Sequence, residues 1–309
     1  MNIKSTLHNL SPFNHETNMH PAAYATKKML AFFLVYMAAA VIFEIIIIAG
    51  LTAMGYDPTH GVMPAGHVAE LLQYYGFAGF GLATILYCVI VEKRNLRSLG
   101  FTGKVFDYLT GAVLAIVLLA VIVGAGLATK VLRFDGMIAS ANTSYLALLF
   151  GAFVIQSLAE EILSRGFLLP SLAKKTSLPV AILVSSTAFA LPHLASVVEA
   201  EGAFAVIGVA NLYLVSLVFS MLFLLRSNIY IVAGLHCVWN FILYGVMGLA
   251  VSGSEANPDA LMAFDVTGEN LLSGGIYGLE ASIVTTAALG IVSVILVTLY
   301  RKRGMKHGI

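Results

Sequence analysis

Long apolar runs that recur from one end of the chain to the other constrain its fold most strongly. Crossing the roughly 30 Å hydrocarbon core of a bilayer takes about 20 residues of helix. Eight runs reach that length, at about 29–53, 71–91, 108–129, 144–170, 179–198, 203–225, 227–251 and 278–300. We therefore predict an all-α, polytopic integral membrane bundle of about eight transmembrane helices.

The composition supports lipid as the solvent of this chain. Of its 309 residues, 59% are hydrophobic and only 11% are charged, which is too little charge to cover the surface of a soluble domain. The first run is too long for the core of a signal peptide, so we expect an uncleaved anchor helix. Cys88 and Cys237 lie inside apolar runs, which favours buried thiols over a disulfide framework.

The distribution of basic residues predicts the orientation. With the N-terminus in the cytoplasm, 14 Lys and Arg residues fall in cytoplasmic segments and only Lys130 and Arg133 fall in outer loops. Cytoplasmic loops normally carry this excess. We therefore expect both termini in the cytoplasm, and location in the cell membrane if the chain is bacterial. The remaining base, Arg165, lies within a span.

Three segments follow from these spans. We expect a cytoplasmic N-terminal tail at 1–28, a transmembrane helical domain at 29–301 and a basic cytoplasmic tail at 302–309. The N-terminal tail contains three histidines, whose loose spacing favours a mobile or surface-lying segment over a metal-binding one: His8, His15 and His20.

Ionisable residues in the fourth run indicate a functional site, because a charge in hydrocarbon costs about 2.5–3.5 kcal/mol on insertion scales. Neighbouring residues on a helix point about 100° apart, so Glu160 and Glu161 cannot share one environment. Glu161 and Arg165 are four residues apart and can pair. Glu160 is then free to face a cavity. Glu44, in the first run, has no motif around it, and we expect it to serve helix packing or a cavity.

The fifth and seventh runs bring further polar groups to a similar depth. Pro192 removes a backbone hydrogen bond and opens the helix beside His193. His236 and Asn240 are four residues apart and share one helix face. At 1.5 Å per residue, Glu160, His193 and His236 lie roughly 14–21 Å from the cytoplasmic side. We therefore predict one buried site from these side chains.

These groups suit hydrolysis by an activated water molecule. No serine or cysteine lies in the local context of an activated nucleophile. A carboxylate or imidazole can instead take a proton from water, while His and Asn donors stabilise the oxyanion of a tetrahedral intermediate.

The same residues carry a resemblance to a known family. Glu160–Arg165 matches EExxxR, Phe189–His193 resembles FxxxH, and His236–Asn240 resembles HxxxN. In this order, within membrane spans, the three motifs resemble the CAAX protease and bacteriocin-processing family (CPBP, or Abi) of intramembrane glutamic endopeptidases. The resemblance covers a catalytic core at about 144–251. Ser164 departs from the family, in which a bulky aromatic residue often precedes the arginine.

The resemblance implies cleavage of a hydrophobic or lipidated peptide or protein, as in CAAX processing. It implies Glu160 as general base, with His193 helping to activate the water. His236 and Asn240 would form the oxyanion hole, and Glu161 and Arg165 would support the site.

Alternative functions remain open from the sequence. The same buried groups could relay protons in a proton-coupled membrane transporter, although no internal repeat is present. A catalytically inactive scaffold or immunity factor is a third hypothesis. A zinc-dependent form of the peptidase would use Glu160, His193 and His236 as ligands. We favour a site without a cofactor, with membrane lipids and the substrate as partners and no nucleic acid.

Overall fold

A computed structural model describes residues 19–304, except residues 65, 105 and 201. Eight helices in this part of the chain are long and apolar enough to cross a membrane, which confirms the predicted polytopic bundle. They are α1 (Pro21–Ala53), α2 (Val68–Val91), α3 (Phe106–Ala128), α4 (Thr143–Ala173), α5 (Leu178–Glu199), α6 (Gly202–Arg226), α7 (Ile229–Val246) and α8 (Ile283–Lys302).

Helix α1 begins at Pro21, so the last part of the predicted N-terminal tail is helical. Pro21 occupies the first turn, where its missing N–H costs nothing, and the His20 side chain accepts a hydrogen bond from the backbone N–H of Ala22. The first turns of α1 carry lysines that are buried in the structure. Lys28, for example, lies 2.5 Å from a carboxylate oxygen of Glu92. His8 and His15 lie outside the described residues.

Four of the eight helices contain a short segment that is not α-helical. Leu191–His193 in α5 is a 3₁₀ turn, which confirms the predicted opening at Pro192. Three π-helical segments were not predicted: Tyr87–Val91 in α2, Ile162–Leu168 in α4 and Phe241–Val246 in α7. A π segment carries a wider turn than an α-helix and is frequent at functional sites.

A two-stranded sheet joins two of the connecting segments. Strands β1 (Leu132–Met137) and β2 (Met262–Val266) pair antiparallel, with a bulge between Phe134 and Gly136. Apolar periodicity does not reveal it, because the strands are short and lie between the spans. The sheet ties the α3–α4 connection to the α7–α8 connection.

Helices α3 and α7 cross at contact distance through two glycines. A Cβ atom added to Gly111 would lie 2.0 Å from the carbonyl oxygen of Ile231, and one added to Gly234 would lie 2.2 Å from that of Tyr108. Small residues allow backbones to approach this closely in a membrane. The crossing fixes the position of α7, the helix that carries His236.

Candidate functional site

A cavity of about 380 Å³ lies among α1, α2, α4, α5 and the segment after α7. We call it the central cavity. Its lining includes aromatic side chains, polar side chains and residues 251–254: Phe32, Tyr36, Gln73, Tyr74, Phe77, Gln156, Glu160, Leu163, Ser164, Ala188, Phe189, Pro192 and His193. Glu160 and His193, predicted from two different spans, therefore face the same space.

Glu160 presents a free carboxylate oxygen to this region. Its Oε1 accepts a hydrogen bond from Gln156 Nε2 at 3.2 Å. Its Oε2 is buried and has no hydrogen-bond partner among the described residues, while His236 Nε2 lies 3.8 Å away. That separation is too long for a direct hydrogen bond, so any link between the two groups needs a water molecule or a small movement.

Glu161 points away from the cavity into the protein interior. Its Oε1 lies 3.0 Å from Arg165 Nη1, which confirms the predicted ion pair, and the side chains of both residues are fully buried. The same oxygen lies 3.1 Å from His236 Nδ1, a contact that was not predicted. Glu161 thus connects α4 to α7 and orients the imidazole so that Nε2 faces Glu160.

The Arg165 guanidinium is held on several sides. Its Nη2 donates to Ser216 Oγ at 2.5 Å, and that hydroxyl donates to Ser186 Oγ at 2.8 Å. The guanidinium carbon lies 4.3 Å from the ring centroid of Phe189 and 5.2 Å from that of Phe219. Cation–π contacts of this kind strengthen when water is excluded. Glu161, the carboxylate partner of His236, is therefore paired with a cation whose position is fixed by its neighbours.

Arg94 secures the π segment that carries Arg165. Its Nη2 donates to the carbonyl oxygen of Gly166 at 2.9 Å, and its Nη1 donates to Ser171 Oγ at 3.1 Å. Gly166 is required by close packing, because a Cβ there would lie 2.8 Å from the carbonyl oxygen of Leu99. The connection between α2 and α3 is in this way tied to α4.

His193 enters the cavity wall from the 3₁₀ turn of α5. Its Nδ1 lies 3.1 Å from the carbonyl oxygen of Phe189, an acceptor, so Nδ1 carries the proton. In the neutral ring Nε2 is then an acceptor. The rings of His193 and Phe189 are 5.2 Å apart, and both residues line the central cavity.

His236 and Asn240 are buried on α7 and are not among the described residues that line the central cavity. His236 reaches the site through its contacts with both glutamates. The Asn240 side chain makes no hydrogen bond within the described ranges and lies one helical turn beyond His236. The structure therefore joins Glu160, Glu161, Arg165 and His236 in one cluster and leaves Asn240 beside it.

Glu280, which the sequence interpretation missed, positions one wall of the cavity. Its Oε1 accepts from Trp239 Nε1 at 2.9 Å, and its Oε2 accepts from the backbone N–H of Ser252 at 2.5 Å. Ser196 Oγ also donates to the carbonyl oxygen of Ser252 at 2.8 Å. The signal available in the sequence was a lone carboxylate inside the predicted eighth run.

Glu44 does not have the predicted role. It is exposed on α1 and contacts no polar partner in the described ranges, and it does not line the central cavity.

The described residues do not fit the conditional zinc site at Glu160, His193 and His236. Within residues 19–304, apart from the three left out, no group of three His, Cys, Asp or Glu side chains could hold a metal ion.

The segment from α4 into α7 is similar to a known protein family. Residues 142–242 match the family model of the Rce1-like type II CAAX prenyl endopeptidases, which confirms the resemblance indicated by the three motifs. The match covers about a third of the chain, from α4 into α7, and includes all six predicted site residues. No curated protein matches the chain.

Proposed function

We propose, from the Rce1-like match over residues 142–242, that this integral membrane protein hydrolyses a peptide bond of a hydrophobic or lipidated substrate with water activated by Glu160. The match indicates a CAAX-type membrane protease in broad terms. The observation that supports the finer mechanism is the free Oε2 of Glu160, which is buried in the region of a cavity shared with His193.

The charges of the cluster suit a general base. Glu160 and Glu161 carry two negative charges, and Arg165 carries one positive charge. Arg165 offsets one of the two carboxylate charges, so Glu160 can act in its ionised form. Glu160 takes a proton from water as the water oxygen bonds to the carbonyl carbon of the peptide bond. The C–N bond then breaks, and the proton passes from Glu160 to the leaving amine.

The histidines have distinct roles in this mechanism. Because Glu161 accepts a hydrogen bond from Nδ1–H of His236, a protonated ring also offers Nε2–H, 3.8 Å from Glu160 Oε2, as a donor to the substrate oxyanion. Asn240 supplies a second donor from the same helix. His193 Nε2 accepts a hydrogen bond from the attacking water, because Nδ1 is bonded to Phe189.

The cavity wall favours an apolar substrate. Phe32 and Tyr36 of α1 and Tyr74 and Phe77 of α2 contribute aromatic rings to the lining that also contains Glu160. A pocket that combines apolar walls with a few placed polar groups is typical of a binding site for a small or extended ligand. Ser164 leaves room where the family often has an aromatic side chain.

Cleavage of a prenylated or hydrophobic reporter peptide by the purified protein tests the proposal. Glu160→Gln should reduce the cleavage rate by about 10²–10⁴-fold, the usual contribution of a general base. Glu199→Gln, which changes an exposed carboxylate on α5, is the matched control and should retain activity. Unchanged cleavage in both Glu160→Gln and His193→Ala would remove the site assignment.

Two further outcomes separate the alternatives. Cleavage should persist in the presence of a chelator, whereas loss that zinc restores would establish the metal-dependent form. Solute or proton transport by reconstituted vesicles, without proteolysis of any reporter, would replace the peptidase with a transporter.

A further inference from the structure

A second concave region lies away from the central cavity, between α5, α6 and α8. This groove has a volume of about 810 Å³ and shares no lining residue with the central cavity. Most of its lining is aliphatic, and one end is closed by Tyr300 and Arg301 of α8. The groove is therefore apolar along its length and has a cationic side chain at one end.

The dimensions of the groove match one leaflet of a bilayer. On α6 its lining runs from Ala210 to Met221, roughly 16 Å at 1.5 Å per residue. Half of the hydrocarbon core is about 15 Å. The groove is therefore about as long as one acyl chain in a leaflet, and Arg301 lies at the end that the basic residues predict at the cytoplasmic surface.

The cation at the end of the groove has no acidic partner among the residues that the structure describes. Arg301 is exposed and makes no ion pair with any described residue. Lys302 and Arg303 follow it, and no Asp or Glu occurs after Glu280. A guanidinium binds a phosphate through paired hydrogen bonds, and basic pockets between membrane helices attract anionic lipid head groups.

We propose that this groove binds a glycerophospholipid with an anionic head group, whose acyl chain fills the apolar channel and whose phosphate contacts Arg301. The floor of the groove includes Ser186, whose hydroxyl accepts from Ser216 at 2.8 Å. Ser216 in turn holds Arg165. The bound acyl chain therefore contacts Ser186, which begins the hydrogen-bonded series through Ser216 to Arg165 that supports Glu161.

Lipid retention after detergent extraction tests this proposal independently of proteolysis. Native mass spectrometry of the purified full chain, exchanged with equal amounts of phosphatidylglycerol and phosphatidylcholine, should show about tenfold more retained phosphatidylglycerol. Arg301→Gln should abolish this preference, so that the two lipids are retained in about equal amounts. Lys302→Gln, which removes the same charge one residue away from the lining, should keep it. Equal retention by the two variants would overturn the proposal.

A second pair of variants tests the acyl channel. Leu183 lines the groove and is 58% exposed, so Leu183→Trp should cover the channel and reduce phosphatidylglycerol retention several-fold. Val180→Trp, at an exposed position on α5 that does not line the groove, should leave phosphatidylglycerol retention unchanged. Lipid retention unaffected by Leu183→Trp would contradict the proposal. Displacement of the lipid by a prenylated peptide in proportion to its concentration would instead make the groove a substrate site.

Discussion

Arg165 shows how a single charge can be accommodated deep in a membrane protein. Its side chain is fully buried, yet a carboxylate, a hydroxyl and two aromatic rings surround it. Buried ion pairs do not generally stabilise a fold more than a well-packed apolar pair, but removal of one partner leaves an uncompensated charge. The arginine therefore serves to fix Glu161 in place, and through it His236.

Arg165→Met should lower the free energy of unfolding by about 3–5 kcal/mol, because Glu161 loses its only counter-ion apart from His236. Thermal unfolding of the purified protein in detergent measures the change. Arg133→Met is the matched control: Arg133 pairs with Asp265 at 3.0 Å but its side chain is 63% exposed. An exposed pair contributes about 0–1 kcal/mol. Equal losses in the two variants would contradict the role assigned to Arg165.

At the scale of elements, the α3–α7 crossing positions His236, the one member of the cluster that α7 carries. Gly234→Ala should destabilise the protein and displace His236, because the new Cβ would meet the Tyr108 carbonyl at 2.2 Å. Gly124→Ala, also in a membrane helix, has no neighbour within 4 Å and should be neutral or slightly stabilising. Unfolding midpoints and cleavage rates of the two variants provide the comparison, and similar values for both would disprove the close contact.

Glu280 organises another element, the segment that closes the central cavity after α7. Glu280→Ala leaves the N–H groups of Trp239 and Ser252 without their acceptors, so this wall should loosen. Trp239 is the only tryptophan in the chain, and its fluorescence reports the change directly. We expect greater quenching by acrylamide and a higher KM for the reporter peptide. Glu269→Ala, an exposed position in the same connection, should leave both values unchanged.

At the scale of the whole molecule, orientation in the membrane remains a prediction from the basic residues. Both native cysteines are fully buried, so they give little background to a maleimide that cannot cross membranes. Cysteine introduced for Glu269 should be labelled in intact cells, whereas cysteine introduced for Lys104 should be labelled only after permeabilisation. The reverse pattern would invert the predicted topology.

Much of this molecule could be predicted from the sequence because the membrane imposes long apolar helices. The eight spans, the break at Pro192 and the Glu161–Arg165 pair follow from spacing and hydrophobicity alone. The π segments could not be predicted, since they depend on contacts such as Arg94 with the Gly166 carbonyl from another part of the chain. The contact of Glu161 with His236 likewise depends on how α4 and α7 pack.

The π segment at Ile162–Leu168 lets α4 hold one more residue than a regular α-helix would over the same rise. Deletion of a single residue there would allow regular α winding, and the helix beyond the segment would keep about its present orientation, because the wider turn already absorbs the extra residue. Arg165 lies inside the segment, so its side chain would move relative to Glu161 and Ser216. Loss of one residue within Ile162–Leu168 should therefore preserve the contact of Ser171 with Arg94, while it disrupts the pair of Arg165 with Glu161.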